Sequence, residues 1–87
     1  MNTATLDALG NKLANAALTT LIRLCPEVRT ASQQQLEAAC AAMRAKSGEA
    51  IDELLKDTRA APHLAHVSFT SAALTLATEG IKVLRGV

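Results

Sequence analysis

His63 and His66 stand three positions apart, a spacing that puts two imidazoles on one side of a helix where they could share a metal ion. No third histidine or acid accompanies them, and the nearest acid upstream is Asp57. A pair without further ligands does not make a metal site, so these are read as solvated or interface histidines. Placed at an interface, they would make association pH-sensitive. Glu49, Asp52, Glu53 and Asp57 look like an acidic run. On a helix they alternate with Ala50, Ile51, Leu54 and Leu55, the pattern of a solvated face. Cys25 and Cys40 are the only cysteines and both fit apolar stripes. Two cysteines without a secretory signal do not form a disulfide framework, so buried free thiols are expected. There is no Gly-x-Ser-x-Gly elbow and no glycine-rich phosphate loop among the four glycines. Neither enzymatic activity nor a cofactor is expected.

Charge narrows the partners. The formal net charge is +1, and the nine Lys and Arg residues are spread along the chain. Nucleic acid, which needs a basic patch to neutralise phosphates, is not expected. A helix-turn-helix would place its turn at Cys25-Pro26-Glu27-Val28-Arg29 and open its recognition helix with Ala31-Ser-Gln-Gln-Gln35. Glutamines can read adenine, but cationic support is thin. A DNA-binding accessory protein is therefore kept only as an alternative. No apolar run approaches the ~20 residues of a membrane span. The opening Met1-Asn-Thr-Ala-Thr lacks the basic and apolar regions of a signal peptide, so a cytoplasmic location is expected.

The elements that must position these residues are helices. Alanine (18 residues) and leucine (13) dominate the composition, and both are strong helix formers. No stretch alternates with period two. The chain divides at Pro26 and Pro62. The first helix spans about 3–24, with Leu6, Leu9, Leu13, Ala16, Ala17, Thr20 and Leu24 at i, i+3, i+4, i+7 spacing; Leu18 and Ile22 add a shorter stripe. The second spans about 31–59. Thr30 with Gln33 fits a capping box at its start, and Ser32 with Gln35 fits nearly as well. Leu36, Ala39, Cys40, Met43, Ser47, Ala50, Ile51, Leu54 and Thr58 form its apolar stripe, and Gly48 interrupts it as a weak point or a place of close packing. The third spans about 63–85, opened by Pro62.

The third helix carries the strongest signal. No formally charged residue occurs from Ala60 to Thr78. Val67, Leu74 and Ile81 form one apolar line; Phe69, Leu76 and Val83 form another, with Ala73 and Gly80 beside them. Leu74 and Leu76 point about 200° apart, so the helix is apolar on two sides and needs two partners. With a core short of large side chains, a second subunit would supply the added burial. The expected interface is Phe69, Ala73, Leu76, Gly80 and Val83, with Phe69, the one aromatic residue, as anchor.

One layout is shared with a known family. Leu21-Ile22-Arg23-Leu24 precedes a proline link, a long helix follows and ends near Asp52-Glu53-Leu54-Leu55, and Pro62-His63-Leu64 opens the last helix. This arrangement resembles the TraM-type quorum-sensing antiactivators. The resemblance implies a small cytoplasmic helical protein that dimerises and binds a transcriptional activator. The chain is thus expected to be all-α, with three long helices in an antiparallel bundle or extended helical hairpin completed by oligomerisation. Its expected partners are itself and another protein. The alternative is a module holding a small ligand between helices or subunits.

Overall fold

A computed structural model describes residues 3–86. Three α-helices, α1 (Thr3–Leu24), α2 (Gln33–Ala60) and α3 (Ala65–Arg85), account for most of them, and no strand occurs among the described residues. Among the described residues no helix is long and apolar enough to cross a membrane.

The prolines end the helices by restricting the residue before them. Cys25, ahead of Pro26, is extended at φ −124° and ψ 92°, and Pro26–Arg29 then makes a single 3-10 turn. Pro62 opens a second 3-10 turn, Pro62–Leu64, so α3 starts at Ala65 rather than at position 63. At the start of α2 the capping competition is won by Ser32. The Gln35 amide donates to Ser32 Oγ (3.1 Å), and the Ser32 amide donates to Gln35 Oε1 (2.9 Å). α3 stops at Gly86, whose φ of 72° suits a residue without Cβ and whose N–H reaches the carbonyls of Lys82 and Val83. The uncharged helix faces are satisfied locally. Thr70, Thr75 and Thr78 donate their hydroxyls to carbonyls four residues back in α3, and Thr19 and Thr20 do so in α1.

α3 packs along both α2 and α1, while α1 and α2 meet only sparingly. The core lies where the three approach one another. Leu13, Ala17, Leu21 and Cys25 come from α1 and its end, Met43 and Ala50 from α2, and Ala73, Leu76 and Ala77 from α3. Gly80 sits where α3 packs tightly against Met43 and Leu21. A Cβ built there would lie 2.8 Å from Met43 Sδ and 3.4 Å from Leu21 Cδ1. By contrast, nothing lies within 4 Å of a Cβ at Gly48, so no close packing within the chain explains that glycine.

One long-range polar contact ties the end of α3 to the first link. Arg85 Nε donates to Glu27 Oε2 at 2.7 Å, and Arg85 Nη2 reaches the Leu24 carbonyl at 3.4 Å. The Cys25 thiol donates to the same carboxylate at 3.7 Å. The Arg85 hydrogen bond holds the Glu27 carboxyl below its ordinary value of 4.5. A lowered folded-state value adds stability that is complete above the ordinary value and is lost as pH falls through the lowered one. Stability of the wild type should therefore fall slightly as pH drops below 4.5, and Arg85→Gln should lessen that fall. Both groups are partly solvated, so added salt should shrink the difference. Circular dichroism against pH in both variants checks this.

Candidate functional site

The residues singled out from the sequence separate into buried and exposed sets. Ala73 (4% exposed), Leu76 (2%) and Gly80 are buried within the single chain, and Phe69 packs against the same core, half-buried. Ala73, Leu76 and Gly80 lie in the interior of one molecule rather than on an open subunit-facing surface, while Phe69 sits at the edge of that core. Only Val83 of that set is exposed, at 37%. Of the other line, Val67 (61%) and Leu74 (48%) are exposed, while Ile81 is half-buried and packs against the core. The small residues Ala73 and Gly80 do permit close backbone approach, but toward α1 and α2.

His63 and His66 are both exposed, at the Pro62–Leu64 turn and the first turn of α3. Among the described residues no three His, Cys, Asp or Glu side chains converge as metal ligands would. Cys25 is fully buried as expected, whereas Cys40 is only half-buried. Glu49, Asp52, Glu53 and Asp57 are all exposed. Glu49, Glu53 and Asp57 edge a shallow trough of about 360 Å³ facing Ser68, Ser71 and Thr75 of α3. Gln33 donates to Glu37 (3.2 Å), and Gln35 is held in the capping box, so both side chains are engaged with their own helix.

The feature with shape is the seam between α1 and α2. Its origin is side-chain size. The side of α1 toward α2 carries Gly10, Ala14 and Ala17, which are too short to bridge to the neighbouring helix. The two helices are in contact range at Gly10, where a Cβ would lie 3.6 Å from Ile51 Cδ1. On one side of this pinch lies a pocket of about 280 Å³. Ala17, Met43 and Leu76 form its buried floor, Ala14 and Leu18 one wall, and Cys40, Ser47 and Ile51 the other, with Arg44 alongside. On the far side a wider depression of about 680 Å³ runs between Leu6, Asp7 and Asn11 of α1 and Gly48, Asp52 and Leu55 of α2. Together they form the α1–α2 trough, divided at the Gly10–Ile51 contact. The floor of the smaller hollow is the hydrophobic core itself, with Leu18 (37% exposed) on its α1 side, whereas the larger is lined by half-buried and exposed residues that include Asp7, Asn11 and Asp52.

The trough presents no nucleophile with an adjacent base. The sequence signal for it was Leu18, in the short Leu18–Ile22 stripe. The Glu27–Arg85 pair had no signal, because its members lie 58 positions apart. Gly10→Ala provides a local test of the pinch. The added methyl makes an ordinary contact with Ile51 and removes a helical glycine, so stability should rise by about 1 kcal/mol, as read by urea denaturation.

No protein-family model, curated protein or solved structure matches this chain.

Proposed function

We propose that this chain is a small, self-associating helical protein that acts by binding another protein, and that the α1–α2 trough is its contact surface. In this reading the three helices form an antiparallel bundle whose open seam is completed by association. The supporting observation is the smaller hollow of the trough: an apolar floor continuous with the core, left uncovered because Gly10, Ala14 and Ala17 do not fill the space before α2. Covering it removes apolar surface from water without exposing anything in exchange. The role fits an inhibitor or antiactivator of its partner, as the TraM-like layout implies. The trough is a surface hollow rather than an enclosed cavity, which suits a helix better than a small ligand needing enclosure.

Capture from the native host with three immobilised forms tests the surface. Wild type and Leu74→Arg should retain the same protein, and Leu18→Arg should lose it. Equal capture by all three, or loss with Leu74→Arg alone, would move the contact away from the trough.

A further inference from the structure

α2 borders the trough with a line of exposed residues whose charges are ordered symmetrically. Glu37, Arg44, Gly48, Asp52 and Arg59 are all exposed and share one arc of the helix surface. Gly48 is their midpoint. Arg44 and Asp52 lie four residues before and after it, roughly 6 Å along the axis, and Glu37 and Arg59 lie eleven before and after, roughly 16 Å. Reversing the helix about Gly48 places every base on an acid. Along the same arc Ala41 and Leu55 lie seven before and after, so reversal also sets a small residue against a large one. A Cβ at Gly48 meets nothing within 4 Å, so the midpoint is open to an approaching backbone. Among the described residues neither Arg44 nor Asp52 enters an ion pair within the chain.

We infer that the α1–α2 face is covered by the same face of a second copy, the two α2 helices crossing antiparallel at Gly48, with Arg44 of each facing Asp52 of the other and Glu37 facing Arg59. This rests on reading the α1–α2 face as the contact surface and makes a second copy its occupant in the free protein, which the other protein displaces on binding. A twofold pairing makes every contact twice, so each complementary pair counts double. α1 contributes in the same sense. The Gly10–Ile51 contact sets α1 and α2 in register, which puts Asp7 near the height of Leu54 and Leu18 near that of Met43. Across the pairing, Asp7 therefore approaches the second copy's Arg44, and Leu18 the second copy's Ile51 and Leu55. The molecule is 39 Å long, and a face two helices wide spans roughly 20 Å, so the whole face offers at most roughly 800 Å² per copy and must be covered almost entirely, α1 included, to reach a standard interface.

Sedimentation equilibrium at micromolar concentration, with circular dichroism to verify folding, tests the pairing. Wild type should sediment as twice 9.1 kDa, and more weakly as salt is raised. Arg44→Asp alone and Asp52→Arg alone each set like charges opposite one another twice, and each should weaken the dimer by roughly tenfold. The double variant Arg44→Asp/Asp52→Arg restores opposite charges and should recover it. Gly48→Arg should be monomeric while keeping its helicity, because it replaces an exposed helical glycine. Gly48→Cys should cross-link on mild oxidation. Wild type should not, since Cys40 of the two copies would lie roughly 24 Å apart. A monomeric wild type, or a double variant no tighter than the singles, overturns this pairing. A wild-type dimer insensitive to Arg44, Gly48 and Asp52 does so too. In either case the trough is judged separately by the Leu18→Arg capture.

Discussion

Leu76→Ala is expected to lower folding stability by about 3–4 kcal/mol, whereas Leu74→Ala should change it by about 0.5 kcal/mol or less. The two leucines are neighbours on one helix and offer the same chemistry. Leu76 is 2% exposed, beneath the α1–α2 trough and between α1 and α2, while Leu74 is 48% exposed on the outer side of α3. Truncating Leu76 removes transfer energy and leaves a hole, because the surrounding helices cannot collapse fully into it. A small domain has roughly 0.05–0.15 kcal/mol of stability per residue, so the loss is a large share of the total. Urea denaturation followed by circular dichroism measures both variants. Equal losses would show that α3 is rotated away from the orientation described above.

Gly80→Val should be destabilising by about 2–3 kcal/mol, through crowding rather than through a cavity. The first added carbon already falls 2.8 Å from Met43 Sδ and 3.3 Å from Met43 Cγ, and a branched side chain must also displace Leu21. The helix gains little in return, since valine is a modest helix former. Met43→Ala removes the atoms in the way. Gly80→Val/Met43→Ala should therefore be more stable than the sum of the two single changes predicts, by about 1 kcal/mol or more. Additivity of the two changes would place Gly80 away from Met43.

These two positions also mark where reading the chain in one dimension stops. Helix identity is written locally: alanine and leucine set the propensity, Pro26 and Pro62 interrupt the ladder of amide donors, and Gly86 accepts a left-handed conformation. The choice between Thr30 and Ser32 as the cap is nearly local as well, being settled by which hydroxyl meets the third amide of a helix beginning at Gln33. The two apolar lines of α3 were equally legible, and their angular separation follows from helix geometry alone.

Which of those lines faces inward is a property of three helices together. Periodicity describes each helix about its own axis and carries no information on the direction of its neighbours. Val67, Leu74 and Ile81 are as apolar as Phe69, Leu76 and Val83. Leu76 is drawn inside because Ala73 and Gly80 beside it let α1 and α2 approach closely enough to cover it, whereas toward the end of α3 it is Ile81 of the first line that packs on the core and Val83 of the second that stays exposed. The trough has the same origin. Gly10, Ala14 and Ala17 are each compatible with a helix, and only the distance to α2 turns them into a gap. Sequence alone determined that the chain makes three helices, where the prolines end them and which stripes each one carries. Tertiary structure decided which stripe is core and which seam stays open, because filling a core depends on the summed volumes of side chains from all three helices.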